Sequence, residues 1–146
     1  RFWENDGLPA AMWTDGSAGR LLPLAPADGG PPLLLAYVNG FAADLLSRLP
    51  ADQAIARVHD SIVRIRPAAA GKLRPLRQVN WQDDPFAGGA YTCWRPGQIR
   101  AGYATAFDAP IGRIVFAGEH TARLARGMEG AMEAGERAAL QLLELG

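Results

Sequence analysis

Apolar positions divide the chain into a turn-rich first third, a helical middle, an irregular aromatic stretch and a strand–helix end. Residues 1–32 read as short strands and turns, because Asp6-Gly7, Asp15-Gly16, Ala18-Gly19 and Asp28-Gly29-Gly30 place turn-forming pairs at close spacing. The apolar run 33–38, flanked by Pro and Gly, predicts a strand. Asn39-Gly40 punctuates it, and residues 41–49 predict a helix that ends before Pro50. A second helix starts near Ala51 or Asp52; Ile55, Val58, Ile62 and Ile65 recur at helical spacing until Pro67 stops it. Residues 73–81 alternate, with Leu76, Val79 and Trp81 set against Arg77, Gln78 and Asn80, and predict a strand. Residues 82–112 carry no period.

The last 34 residues, 113–146, hold the sharpest local pattern. Arg113-Ile114-Val115-Phe116-Ala117 predicts a short apolar strand, followed by Gly118-Glu119-His120-Thr121 and a helix over 128–145. Met128, Ala131, Met132, Gly135, Ala138, Ala139 and Leu142 share one face of that helix, and Glu129, Glu133, Glu136, Arg137, Gln141 and Glu144 share the other. Glu133 and Arg137 are spaced for an i, i+4 ion pair. The apolar face is dominated by Ala and Gly, which lets a helix approach a sheet or a ligand closely.

Composition narrows the function classes. A chain of 146 residues can bury one modest core. With 15 basic and 15 acidic residues it lacks the cationic surplus that phosphate backbones demand, so nucleic acid is not an expected partner. No apolar run approaches the roughly 20 residues of a membrane span, and no membrane partner is expected. The single Cys93 precludes an internal disulfide framework and fits a reducing, cytoplasmic setting. The 17 glycines and 11 prolines, and an opening Arg1-Phe2-Trp3 in place of Met, lead to the expectation of a processed or trimmed segment that packs against something larger.

Candidate chemistry is sparse. His59, His120 and Cys93 show no metal-ligand spacing, so no metal site is expected. Ser17, Ser47, Ser61 and Cys93 sit in no nucleophile elbow. A strand ending in Gly118-Glu119 and leading to a helix start at Gly127-Met128 makes a site for an anion or a dipole, because the first amides of a helix are unpaired and partly positive. Glu119 could accept hydrogen bonds from sugar-like hydroxyls; an ordinary strand–loop–helix unit with a capping carboxylate fits the same spacing. Trp81, Phe86, Tyr91 and Trp94, interleaved with Gly88, Gly89 and Gly97, suit a flat apolar ligand, or equally a loop stapled down by its rings.

These residues, taken in order, resemble the C-terminal region of the flavin-containing amine oxidase family, that is monoamine and polyamine oxidases and L-amino-acid oxidases. The resemblance runs through Trp81, Asp84-Pro85-Phe86-Ala87-Gly88-Gly89-Ala90-Tyr91, Pro96-Gly97, the stretch from Gly112 to Ala122, and Gly127-Met128-Glu129-Gly130-Ala131-Met132-Glu133-Ala134-Gly135-Glu136-Arg137. Arg1-Phe2-Trp3-Glu4 also resembles the start of a substrate-domain strand in that family.

The resemblance implies an α/β architecture: the C-terminal strand–helix of a Rossmann-like FAD-binding domain over residues 81–146, and part of a mixed-sheet substrate domain over 1–80. It implies FAD as cofactor, with Gly118, Glu119, Gly127, Met128, Glu129 and Ala131 on the cofactor side. Tyr91 and Trp81 would be the catalytic aromatics at the ring, and Tyr91, Trp94 and Gly127 would line the substrate. The reaction implied is oxidation of a C–N bond of an amine or L-amino acid to the imine, with O2 reoxidation giving hydrogen peroxide. A dehydrogenase using another acceptor and a non-catalytic flavoprotein subunit are the alternatives.

Three departures from the family pattern carry their own expectations. Ala90 stands where a covalent flavin cysteine occurs, so FAD is expected to be non-covalent. Gly127 stands where a second cage aromatic occurs, which opens the cage and favours a bulkier amine or an amino acid held by its carboxylate, for which Arg95 is a candidate. The sequence contains neither the G-x-G-x-x-G fingerprint nor the flavin-proximal lysine. A larger chain carrying both is the expected partner in a hetero-oligomeric or processed enzyme.

Overall fold

The computed structural model describes residues 1–145. Its contacts divide the chain into two compact units, Arg1–Asp83 and Asp84–Gly146.

The first unit is a three-stranded antiparallel sheet with two helices. Strands β1 (Met12–Trp13), β2 (Arg20–Leu24) and β3 (Leu33–Tyr37) lie in the order β1-β2-β3. Leu21 sits opposite Met12 on one side and Ala36 on the other, and Pro23 opposite Leu34. Alternation puts these residues on one face, and Leu21, Ala18, Ile62 and Ala69 form the buried core with Met12, Leu34, Ala36 and Val58 packed around them. The β1–β2 turn needs glycine at 19. Its φ is +59°, and a Cβ there would strike the Tyr37 carbonyl oxygen. The sheet's other face carries Trp13, Leu22, Leu24 and Leu35, with the Arg20 guanidinium 5.1 Å from the Trp13 ring centre.

Helices α1 (Gly40–Ser47) and α2 (Ala51–Ile65) fall where the period and the flanking prolines put them. Helix α2 buries Ala54, Ser61 and Ile62, and the Ser61 hydroxyl oxygen accepts the Ala18 amide at 3.3 Å. Beyond its end, Arg66 is fully buried. Its guanidinium donates to both Asp6 oxygens at 2.8 Å and to the carbonyls of Pro9, Ala10 and Trp3. A buried charge must be paired and fully hydrogen-bonded, and here the irregular segment 3–10 wraps one cation to do it. These bonds, led by the side-chain bond from Arg66, hold the Asp6 carboxyl below its usual value.

The second unit is a long irregular segment closed by helix α3 (Gly127–Leu145). Asp84 Oδ1 accepts the amides of Phe86 and Ala87, which fixes the turn ahead of Gly88. Short 3-10 turns occur at Tyr103–Thr105 and Glu119–Thr121.

Several sequence expectations are corrected. Residues 73–81 form no strand, and Leu76, Val79 and Trp81 are exposed. Residues 113–117 form no strand either; a single bridge joins Ile111 to Ile114. A strand exists through a run of hydrogen bonds to a neighbour, and among the described residues neither stretch has more than that one bridge. The three strands of the first unit are antiparallel and, with the helices, make a mixed α/β fragment. On α3 the buried residues are Gly130, Ala134 and Ala138, whereas Met128, Met132 and Leu142 are exposed.

The chain exposes 10672 Å². Two separate globules of half its mass each would expose roughly 8,700 Å² in total. Among the large apolar side chains, Phe41, Phe86, Leu124, Met128 and Leu143 are the most exposed.

Candidate functional site

The second unit gathers most of the predicted site residues around the start of α3. The helix begins at Gly127 with φ +64°, and a Cβ at that position would meet nothing within 4 Å. Gly130 donates its amide to the Arg126 carbonyl at 3.5 Å. Among the described residues the amides of Gly127, Met128 and Glu129 meet no acceptor, as expected for the first turn of a helix. Met128 is 86% exposed, and Glu129 and Ala131 are exposed as well. The helix start is therefore an open, partly positive patch with no side chain in front of it at residue 127.

Gly118 lies just upstream with φ +129°, and a Cβ there would come within 2.8 Å of the His120 ring. Its carbonyl accepts both the amide and the hydroxyl of Thr121 at 3.0 Å, closing the turn. Glu119 does not point into empty space. Its Oε2 accepts the Thr92 amide at 3.1 Å and the Thr92 hydroxyl at 2.9 Å, so the Gly118 turn is tied to the segment that carries Tyr91. Tyr91 is 62% exposed and Trp94 is half-buried. Arg95 is exposed, with its amide donated to Gln98 Oε1 at 2.7 Å. Trp81, 56% exposed, belongs to the first unit.

Two residues that matter here lie, by period, on the polar face of α3. Glu133 accepts the amides of Arg123 (2.9 Å), Leu124 (3.2 Å) and Ala125 (3.1 Å), three consecutive donors in the loop before α3. These bonds, the Arg123 amide foremost, hold the Glu133 carboxyl below its usual value. Arg137 donates to the Thr121 carbonyl (2.9 Å), the Thr121 hydroxyl (2.8 Å) and the Phe116 carbonyl (3.4 Å). The predicted Glu133–Arg137 ion pair is thus replaced by two clamps onto the preceding loop. The usable signal is the small-residue series Gly130, Ala134, Ala138 at helical spacing beside them, which brings that loop within reach.

Among the described residues no group of His, Cys, Asp and Glu is arranged to hold a metal ion, and no helix is long and apolar enough to cross a membrane.

Residues 1–143 match the family model described as flavin containing amine oxidoreductase, and the chain belongs to that family. It is 32% identical to bovine (Bos taurus) amine oxidase [flavin-containing] B over 151 aligned residues, covering 97% of this chain and 28% of that protein. It is 34% identical to horse (Equus caballus) amine oxidase [flavin-containing] A over 119 residues, 80% of this chain and 22% of the relative. The zebrafish (Danio rerio) enzyme is 29% identical over 148 residues. The chain thus spans about a quarter of the length of the relatives it matches. Family and relatives alike are flavin-containing, which implies FAD as the cofactor.

The residues present fit such a group on this side. An open glycine at the start of a 19-residue helix and three unclaimed amides form a backbone surface that a flat ligand can approach without meeting a Cβ at residue 127.

Proposed function

We propose that this chain supplies one wall of the FAD site in an oxidase that converts the C–N bond of an amine or L-amino acid to an imine, with O2 as final acceptor and hydrogen peroxide as product. The observation that carries the reading is the unobstructed start of α3, with amides 127–129 unclaimed, in a chain of a flavin-containing family.

A bound FAD would supply the acceptor for the hydride equivalent lost from the carbon bearing the amine, and the route for those electrons to O2. The chain's own residues orient and polarise. The amides of Met128 and Glu129 would hold the pyrimidine carbonyl of the ring, and a helix N-terminus there would stabilise the negative charge of the reduced form without reorganising. Gly127 keeps a side chain away from the cofactor, and Gly118 makes room for the His120 ring in the turn beside it. Tyr91 presents a ring as one wall against the substrate amine, and the Glu119–Thr92 bonds fix the segment on which it stands. Gly127 leaves the opposite wall open, which suits a bulky amine or an amino acid. With Ala90 adjacent to Tyr91, attachment of FAD is non-covalent.

A further polypeptide segment carrying a G-x-G-x-x-G turn and a lysine near the reacting edge of the ring completes the site. It would also cover the apolar surface that both units leave exposed.

The test is turnover of the complete flavoprotein carrying Tyr91→Ala. Amine oxidation should fall by on the order of tenfold to a hundredfold while bound FAD stays near its wild-type level. Unchanged turnover would remove Tyr91 from the site, and purified protein without flavin absorbance would remove the oxidase itself. Peroxide formed per substrate consumed tells an oxidase from a dehydrogenase.

A further inference from the structure

We propose that Glu133, seconded by Arg137, is a positioning residue for the flavin site: it fixes the loop 116–125 against α3 and so sets where the amides of residues 127–129 stand. The inference rests on the reading of those amides as the flavin contact.

The geometry is specific. Residues 123–125 present three consecutive amides, and one carboxylate takes all of them: Arg123 on Oε1 at 2.9 Å, Ala125 on Oε2 at 3.1 Å, and Leu124 on both. Consecutive amides converging in this way make a small anion nest, and here the chain fills its own nest with a side chain from the second turn of the following helix. One turn further along, Arg137 grips the Thr121 carbonyl and hydroxyl and the Phe116 carbonyl. Thr121 closes on Gly118, and Glu119 holds Thr92. A continuous set of hydrogen bonds, charge-assisted at Arg137 and at Glu119, therefore runs from α3 through the Gly118 turn to the segment bearing Tyr91.

Gly130 lets this happen. A Cβ there would lie 2.9 Å from both the Ala122 Cβ and the Ala125 carbonyl oxygen, so helix and loop touch backbone to backbone between the two clamps. The clamp also spends the loop's donors. With amides 123–125 committed to Glu133, the unclaimed donors left in this stretch are those of residues 126–129, at the start of α3, and these remain to meet a ligand's acceptor.

The test uses the complete flavoprotein with Glu133→Gln, which keeps the volume but can accept through one oxygen instead of two. Glu133→Asp, which keeps the charge but falls short of the loop, serves as a second variant, and exposed Glu136→Gln as control. Two quantities are read: hydrogen exchange at amides 123–129 in protein stripped of FAD, and the reduction potential of the bound flavin. Exchange at 123–125 should rise about tenfold in Glu133→Gln. The reduction equilibrium should fall about threefold to tenfold, the larger figure being about 30 mV for a two-electron couple. Glu136→Gln should match wild type in both. Faster exchange with an unchanged potential overturns the proposal, as does a changed potential with unchanged exchange. If Glu133→Gln does not fold, Glu133→Asp is held to the same two readouts. Wild-type protein that binds no flavin would instead sink the underlying reading, which separates the two failures.

Discussion

Gly130→Ala and Gly135→Ala make a matched pair on one helix, and the structure assigns them different outcomes. Each replaces a helical glycine by alanine, which by itself favours the helix by about 0.8–1 kcal/mol. At Gly135 a Cβ meets nothing within 4 Å, so that gain should appear in full. At Gly130 the added carbon would stand 2.9 Å from the Ala122 Cβ, 2.9 Å from the Ala125 oxygen and 3.2 Å from the Ala125 carbonyl carbon. Ordinary carbon contacts lie near 3.5–4.0 Å, so something must move by roughly half an ångström or more. Two of the three atoms are backbone, and the loop they belong to is pinned by Glu133. Overpacking of this sort costs about 1–3 kcal/mol. Because the propensity gain is common to both variants, their difference isolates that cost. Gly130→Ala should be less stable than Gly135→Ala by about 1–3 kcal/mol. Hydrogen exchange of the α3 amides in the complete flavoprotein reads this as a local opening free energy. FAD retention should fall in Gly130→Ala and hold in Gly135→Ala. A Gly130→Ala protein at least as stable as Gly135→Ala would refute the contact on which the helix–loop argument stands.

Other predictions follow from the same structure. Leu21→Ala removes a fully buried side chain from the sheet–α2 core and should destabilise the first unit by about 2–5 kcal/mol in urea unfolding, with little effect at Leu35→Ala on the exposed face. Arg66→Met should destabilise far more than Arg64→Met in thermal unfolding, because it strands Asp6 and three carbonyls inside the 3–10 segment. Asp6 and Glu133 both have folded-state pKa values below their ordinary ones, so each contributes stability that is complete above the ordinary value and is lost as pH falls through the lowered one. An acid titration should therefore show both units loosening below the usual carboxylate range, and Glu133→Gln should flatten that response in the second unit.

How much was legible in the sequence depended on where each element finds its partners. Helices α1 and α2 were readable because their period and their bounding Pro50 and Pro67 are local. The strand at β3 was readable as an apolar run. The stretches 73–81 and 113–117 were misread because alternation describes side chains, while a strand requires a hydrogen-bonded neighbour that the described residues do not offer. On α3 the apolar count favoured the large residues Met128, Met132 and Leu142, yet contact falls on Gly130, Ala134 and Ala138. Small residues bury because they permit close approach, and a scale of side-chain hydrophobicity does not register that. Glu119 was expected to meet a ligand's hydroxyls, and the structure gives its Oε2 to Thr92. Glu133 and Arg137 were legible as charges but not as clamps, because their partners are main-chain groups of a loop with no period of its own.

The most direct measurement is the structure of the complete flavoprotein with reduced FAD, read at the first turn of α3. The account predicts a main-chain nitrogen of Met128 or Glu129 within about 2.7–3.2 Å of the flavin pyrimidine carbonyl oxygen. A helix start turned toward solvent, or packed against plain apolar core with the flavin elsewhere, would contradict it.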